Sequence, residues 1–283
     1  MKIRDVIELV VLAAVWGASF LFMRVLAPAL GPWAAADLRM LFGALFLGVY
    51  FLAVRFNPEL KRHFTAFLVI GLVNSGLPFA LYSAAALVLP ASAEVVLNAL
   101  SPVFGAVAGA LFLGERFSIR KGAGLALGFA GVAVLAGGLS LGSSFWSWAA
   151  LAACVLAPVC YALGGVLVHN MAKGVPARSL AYGSQALAGV IMLPTLALSP
   201  AGHWGDPVLW TLLAVFGVLC SGVAYLIYYG LMKRVGPTKT LTVTFLMPVF
   251  GVLWGALFLG EPVTLTLAAG AVLVLGGTFL VTR

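Results

Sequence analysis

Long apolar runs separated by short polar connections dominate the pattern along this chain. A bilayer core of about 30 Å is crossed by about 20 helical residues at roughly 1.5 Å each. On that measure the pattern predicts an all-α integral membrane protein with ten transmembrane helices, at 6–27, 33–54, 64–87, 91–113, 120–138, 147–168, 178–197, 208–232, 238–259 and 265–281. No small-residue cleavage site follows the first run, so we interpret it as an uncleaved helix.

One stretch of the chain occurs twice. Residues 102–115 read PVFGAVAGALFLGE and residues 248–261 read PVFGVLWGALFLGE, with 11 of 14 positions identical at an offset of 146. Ser75-Gly76 and Tyr82 recur as Ser221-Gly222 and Tyr228 at the same offset. This repetition predicts two five-helix units, 1–140 and 141–283. Because five is odd, the second unit is expected to be inverted in the membrane, with the functional site between the two units.

Composition and charge narrow the class of protein. The chain is 63% hydrophobic and 8% charged, whereas a soluble domain is about one quarter charged. The net charge of +8 does not indicate nucleic-acid binding, because the basic residues are scattered over short loops. Cys154, Cys160 and Cys220 lie in apolar segments without metal-ligand spacing, so we predict no disulfide, metal or cofactor.

The basic residues also predict an orientation. Fourteen of the 16 Lys and Arg residues, Arg283 among them, fall on one side of the predicted spans, and only Arg24 and Arg39 lie within the outer parts of spans. The positive-inside rule therefore places both termini in the cytoplasm. Trp residues at the opposite span ends fit an interfacial belt.

Polar residues inside the spans are the candidates for chemistry. In span 4, Glu94, Asn98, Ser101 and Gly105 have the spacing of one helix face. Pro102 and Pro248 interrupt spans 4 and 9, and matched interrupted segments are typical of a transporter binding site, although Pro is also tolerated as a plain kink. The whole predicted substrate-binding set is Trp16, Ser19, Met23, Asn74, Pro78, Phe79, Tyr82, Glu94, Asn98, Ser101, Pro158, Tyr161, Tyr225, Tyr228, Thr244 and Pro248.

Charged residues in the spans allow several interpretations. Glu94 could bind a substrate amine, carry a coupling proton, or be solvated near the outer end of its span. Arg39 could attract a substrate carboxylate, but we favour a structural pair with Asp37 or Glu94 across helices. Glu115 and Glu261 are interpreted as structural, since each follows a glycine suited to a left-handed helix cap.

The sequence supports no enzyme motif. It has no His-Glu-x-x-His, no paired intramembrane Asp and no P-loop. Its one Gly-x-Ser-x-Gly match, at 138–142, falls in a connection between two predicted spans and not between a strand and a helix, as a nucleophile elbow requires. We therefore predict that the protein is not an enzyme and is not driven by nucleotide hydrolysis.

Several motifs carry a family resemblance. With its two Pro-Val-Phe…Leu-Gly-Glu helices, the Trp16-Gly17 pair, Leu38-Arg39-Met40 and the stretch 233–237, the chain resembles the drug/metabolite transporter superfamily. It is most similar to the EamA-type exporters and, among these, to YddG-type exporters of aromatic amino acids. The resemblance covers the whole chain. It implies a basket-like fold with a central cavity lined by spans 1, 3, 4, 6, 8 and 9.

The predicted function is a bacterial inner-membrane exporter of small amphipathic metabolites, foremost aromatic and hydrophobic amino acids, by alternating access. Asn98, Ser101 and Thr244 would hold the polar end of the substrate. Lipophilic cations or other toxic compounds are the alternative substrates, and a membrane-embedded enzyme or non-transporting scaffold is the alternative class. Proton coupling and the oligomeric state stay open, because the Gly105-x-x-x-Gly109 spacing suits packing within or between chains.

Overall fold

Helices make up the fold. The computed structural model describes residues 2–139, 141–142, 144–199, 204–240 and 242–282, so Arg283 lies outside the described part. The α-helices in chain order are α1 (Ile3–Leu30), α2 (Pro32–Ala53), α3 (Phe64–Gly71), α4 (Leu77–Ala85), α5 (Ala91–Asn98), α6 (Ser101–Phe112), α7 (Ile119–Gly138), α8 (Phe145–Met171), α9 (Ala177–Met192), α10 (Pro207–Phe216), α11 (Ala224–Val235), α12 (Pro237–Thr240), α13 (Val243–Leu259) and α14 (Leu265–Thr282). Within these described residues, nine helical stretches are long and apolar enough to cross a membrane, and α13 is a shorter tenth. The predicted span positions are confirmed.

The exterior of this bundle is suited to a lipid environment. Leu111, Leu257 and Val272 are 72%, 64% and 70% exposed although they are large and apolar. Apolar side chains such as Leu12, Tyr82 and Phe216 also fill the interior. A bundle that is apolar on both sides is the arrangement expected of a protein dissolved in lipid.

Spans 3 and 8 each contain a widened turn that the sequence pattern did not predict. A π-helical segment, Leu72–Gly76, joins α3 to α4, and Gly217–Val223 joins α10 to α11. Pro78 follows the first segment and cannot donate a backbone hydrogen bond, which disfavours a regular helix there. Such π segments are frequent at functional sites.

Span 4 is interrupted at Ala99 and Leu100, so the predicted face through Glu94, Asn98, Ser101 and Gly105 is divided between two helices. α5 ends at Asn98 and α6 begins at Ser101. The Asn98 carbonyl accepts from Ser101 Oγ at 2.6 Å, and the Ala99 carbonyl accepts from Thr278 Oγ1 at 2.5 Å. These hydroxyls satisfy carbonyls that the break leaves without a helical partner.

The two repeated prolines have different positions in their helices. Pro102 lies in the first turn of α6, where a backbone N–H would have no intrahelical partner anyway. Pro248 lies inside α13, which begins at Val243, five residues before the repeated sequence. The two copies of the repeated sequence are therefore not folded identically.

Two helices from different halves of the chain pack through glycines. A Cβ atom on Gly124 of α7 would lie 2.6 Å from the carbonyl oxygen of Gly277 of α14, and one on Gly131 would lie 2.9 Å from that of Gly270. Any side chain there would separate the helices. The pairs are exchanged by the 146-residue offset, because Gly124 corresponds to Gly270 and Gly131 to Gly277. Helices α7 and α14 are thus antiparallel.

Candidate functional site

An aromatic cluster occupies the middle of the bundle. The Trp16 ring of α1 lies 5.9 Å from the Tyr225 ring and 5.3 Å from the Tyr228 ring of α11, measured between centroids. Tyr229 is 5.2 Å from Tyr228. The structure thus brings together three predicted residues, and it adds Tyr229, which its place next to Tyr228 could have suggested. We name Trp16, Tyr225, Tyr228 and Tyr229 the aromatic cluster.

The π segment of span 8 anchors this cluster. Trp16 Nε1 donates to the carbonyl of Cys220 at 3.1 Å, and Gln185 Nε2 of α9 donates to the carbonyl of Ser221 at 2.9 Å. Two successive carbonyls of one span therefore accept side-chain hydrogen bonds from two other helices. The first of these bonds fixes the indole of Trp16, which is half-buried.

Tyr82 and Asn98 form a buried polar pair, and Tyr161 interacts electrostatically both with Tyr82 and with Tyr225 of the aromatic cluster. Tyr82 Oη donates to Asn98 Oδ1 at 3.1 Å, and Phe20 contacts the Tyr82 ring edge-to-face at 5.2 Å. Tyr82 is 1% exposed, so its hydroxyl requires the partner that it has. Ser101 stays with Asn98 across the break through the hydrogen bond described above.

Arg39 is buried without the expected acidic partner. Its Nε donates to Ser221 Oγ at 3.2 Å, and its guanidinium carbon lies 3.8 Å from the centre of the Phe79 ring and 4.2 Å from that of Phe216. No ion pair of Arg39 forms within the described residues. The favoured pairing with Asp37 or Glu94 is therefore wrong.

Two carboxyl groups are also buried. Glu94 and Asp37 are 0% exposed, and neither has a hydrogen-bond partner among the described residues. A solvated role for Glu94 is thus wrong. Glu94 interacts electrostatically with Arg24, whose guanidinium donates to the Ala86 carbonyl. The amine-binding and proton-carrying interpretations of Glu94 stay predictions.

The other predicted binding residues are distributed around these groups. Asn74 packs against α8 where Gly164 lacks a side chain. Tyr161 lies within electrostatic reach of Arg39. The buried members are Ser19, Met23, Pro78, Phe79, Pro158 and Pro248, and the half-buried ones are Asn74, Tyr161 and Thr244.

The repeated sequence builds two corners, each at the end of a helix. Gly114 and Gly260 have φ of 71° and 65°, which confirms the predicted left-handed caps. The backbone N–H groups of Glu115 and Glu261 donate to the carbonyls of Gly109 and Gly255, at 3.1 Å in both corners. Each carboxylate folds back over that glycine, where a Cβ atom would overlap it. This fold-back is a physical reason for the repeated G-A-L-F-L-G-E sequence.

The two corners have different partners. In the Glu261 corner, the carboxylate accepts from the backbone N–H of Ala91 at 2.8 Å and of Ser92 at 2.9 Å. In the Glu115 corner, the carboxylate side chain is 53% exposed and its partner is Lys121 Nζ at 3.4 Å. Because Glu261 touches the start of span 4 and Glu115 follows its end, the corners lie at opposite ends of that span.

The packing of span 4 against other helices also differs between its two ends. A Cβ atom on Gly251 of α13 would lie 2.5 Å from Val95 Cγ1 of α5. Gly105, the same position in the other copy, has no atom of another element within 4 Å of such a Cβ. Span 4 is thus tightly packed at its Glu261 end, and Gly105 faces open space.

One cavity of about 290 Å³ lies beside the Glu261 corner, between α5, α7 and α14. Its lining includes Pro90, Ser92 and Thr266 but no residue of the predicted binding set. It is peripheral to the aromatic cluster.

Comparisons with known proteins give a consistent result. The model of the EamA-like transporter family matches residues 6–137 and 147–283. The chain is 28% identical to an uncharacterized transporter, YvbV, of Bacillus subtilis, over 99% of this chain and 92% of the relative. It is 27% identical to a probable amino-acid metabolite efflux pump of Salmonella typhimurium (99% and 95% covered) and 30% identical to a probable terminal-alkyne amino-acid exporter of Streptantibioticus cattleyicolor (69% and 65% covered). A crystal structure with 18% sequence identity has a similar fold, with a TM-score of 0.70 over 99% of this chain and 96% of the other.

Proposed function

The chain belongs to the EamA-like transporter family, and from this premise we propose that it is a secondary exporter of small amphipathic metabolites, foremost amino acids with aromatic or hydrophobic side chains. The aromatic cluster and the buried Tyr82–Asn98 pair are the observations that support this substrate class. Sites for such ligands combine apolar walls with a few polar groups that fix orientation. The names of the Salmonella and Streptantibioticus relatives, an amino-acid metabolite efflux pump and an amino-acid exporter, favour the same class.

In this proposal the substrate side chain packs on Trp16, Tyr225 and Tyr228, and its polar end is held by Asn98, Ser101 and Thr244. The aromatic rings supply contact area without requiring a specific side chain. The remaining residues of the predicted set shape the cavity around them.

Alternating access between two inverted halves, 1–140 and 141–283, is the proposed mechanism. The exchanged glycine contacts of antiparallel α7 and α14 support it, because a twofold relation between inverted halves produces such pairs. The position of the two corners at opposite ends of span 4 supports it as well. Exchange of the two corner environments would move the opening from one end to the other.

The charge distribution supports an assignment of the two corners to the two sides of the membrane. With both termini in the cytoplasm of a bacterial cell, the Glu261 corner faces outward and the Glu115 corner faces inward. Arg234 at the end of α11 pairs with Asp5 at the start of α1, at 2.9 Å, which fits one basic, cytoplasmic end. The described conformation then has its tighter packing of span 4 at the outer end.

Transport by the purified protein in proteoliposomes tests the proposal. We expect radiolabelled phenylalanine and tryptophan to be moved above the level of protein-free vesicles. Trp16→Ala should lower the rate about 10-fold, because a ring contact and a hydrogen bond are lost. Trp148→Ala is the control, since Trp148 is a 53% exposed tryptophan outside the cluster.

The same vesicles separate the alternatives. Uptake of a lipophilic cation without any amino acid would favour the cation exporter, for which the buried Glu94 carboxylate is the supporting observation. Movement of neither would contradict the transporter proposal. A pH gradient tests proton coupling, and an unchanged rate and pH dependence in Glu94→Gln would exclude Glu94 as the proton carrier.

A further inference from the structure

Arg39 is a buried cation whose own protein supplies no anion. It is 3% exposed, and its guanidinium keeps its charge in proteins. Buried charges are normally paired, because the loss of water is otherwise uncompensated. Only Nε has a hydrogen-bond partner within the described chain, Ser221 Oγ. The two terminal nitrogens therefore remain available to a ligand.

The two aromatic contacts define which part of the guanidinium is available. Phe79 and Phe216 lie against it at 3.8 and 4.2 Å from their ring centres. Contacts of this kind stabilise a cation and restrict its orientation. They do not satisfy the N–H groups at its edge, which match the two oxygens of a carboxylate.

The corresponding position in the second half of the chain carries no charge. Gln185 of α9 stands 146 residues after Arg39, and Leu41 and Gly43 recur as Leu187 and Gly189 at the same offset. Gln185 is 0% exposed, and its amide donates to the Ser221 carbonyl at 2.9 Å. Arg39 and Gln185 thus both donate to Ser221, Arg39 to its hydroxyl and Gln185 to its carbonyl. The second half therefore uses a neutral side chain where the first half uses a charged one.

Arg39 also adjoins the proposed substrate site. It interacts electrostatically with Tyr161 and Tyr225, and Tyr225 contacts Trp16 in the aromatic cluster. A molecule with an apolar side chain on the cluster would therefore have its charged end near Arg39. Of the ionisable groups that face it, Tyr161, Tyr225 and Cys220 are ordinarily neutral, so its positive charge is not cancelled.

We propose that Arg39 binds the carboxylate of the transported molecule and makes a free carboxylate the feature by which the protein selects its substrates. This inference rests on the proposed function. It assigns the acid end of the substrate to Arg39, whereas the polar groups of Asn98, Ser101 and Thr244 serve the rest of the polar end.

Ligand selectivity of the purified protein tests the proposal. Binding of L-phenylalanine and of L-phenylalanine amide is measured by scintillation proximity, and transport of both is measured in proteoliposomes. The wild-type protein should bind phenylalanine about 10- to 100-fold more tightly than the amide, the range expected for a hydrogen bond to a charged group. Arg39→Gln should remove this preference by weakening the binding of phenylalanine while leaving the binding of the amide unchanged. Arg39→Lys should keep part of the preference.

The controls separate recognition from folding. Arg39→Gln introduces the side chain that the chain itself uses at the corresponding position. Arg178→Gln removes another arginine stacked on a ring, at 3.6 Å from Phe56 but exposed, and should leave the preference unchanged. If Arg39→Gln does not fold, the ligand preferences of the wild type and of Arg39→Lys still decide.

Three results would overturn the inference. Equal binding of phenylalanine and its amide by the wild type would contradict it and leave the exporter proposal standing. An equal loss of affinity for both ligands in Arg39→Gln would show that Arg39 has a structural role. Binding and transport of neither ligand by the wild type would overturn the exporter proposal together with the inference.

Discussion

The Glu261 and Glu115 corners have almost the same sequence and opposite surroundings. At the Glu261 corner the carboxylate is fixed by two backbone N–H groups of α5, a helix whose eight residues are all buried. At the Glu115 corner the carboxylate is half exposed beside Lys121. The local features, a glycine cap and a folded-back side chain, are the same in both.

This difference shows that the repeated sequence does not by itself determine whether a corner is closed. The surrounding helices decide, so the same residues are compatible with both environments. If the protein alternates, each corner must adopt the environment that the other has now. The free-energy difference between the two arrangements must then be small, since ligands and membrane conditions shift such equilibria by a few kcal/mol.

Blocking the closed corner should have the largest effect. In Gly251→Val the new side chain overlaps Val95, whose short branched side chain cannot move away easily. Overpacking of this kind costs about 1–3 kcal/mol, which corresponds to about 5- to 150-fold in favour of an opened outer end. A cysteine introduced as Ala91→Cys, at a 1% exposed position, reports this as faster reaction with an impermeant maleimide added outside.

Gly105→Val is the matched control, because it places the same side chain in open space. It should leave labelling at position 91 unchanged, and the native cysteines contribute little background because all three are buried. Equal acceleration in both variants would contradict the difference in packing between the two ends.

Neutralising the closed corner should have a smaller effect. Glu261→Gln keeps the shape of the side chain but replaces charge-assisted hydrogen bonds by a weaker neutral one. We expect a cost of about 1–2 kcal/mol, seen as about 5- to 30-fold faster labelling of Ala91→Cys. Glu115→Gln should not change this labelling. If the two variants behave alike, the carboxylate of Glu261 does not hold the corner closed.

Features that depend on local sequence could be predicted. The ten spans follow from apolar length, and the caps at Gly114 and Gly260 follow from glycine at a helix end. The break in span 4 was missed, because apolar residues continue through Ala99 and Leu100 while the break is stabilised from α14 by Thr278. Hydropathy carries no information about such a contact.

The candidate site was predictable in part for a similar reason. Trp16 was recognisable as an aromatic residue near the middle of its span, and Tyr225 and Tyr228 as aromatic residues whose hydroxyls need a partner when buried. The pairing of Arg39 with two rings from other spans was not, since neutral partners leave no charge pattern in the sequence. Burial of Glu94 was also missed, because lipid-facing and interior positions are both apolar in a membrane helix.

Removing the partner of Glu115 should have the smallest effect, and it tests directly whether the Glu115 corner is held closed. Lys121→Gln removes the partner of Glu115 without touching the Glu261 corner. Pairs of this kind near the surface contribute little and are screened by salt, so labelling of Ala91→Cys should rise less than about threefold, and high ionic strength should abolish the difference from the wild type. The direction matters, because a Glu115 side chain freed from Lys121 is available to close the inner end, which favours opening of the outer one. A fall in labelling would show that Lys121 and Glu115 already hold the inner end closed, and a rise of more than about threefold would exceed what a surface pair contributes. Either result would contradict the contrast between the two corners.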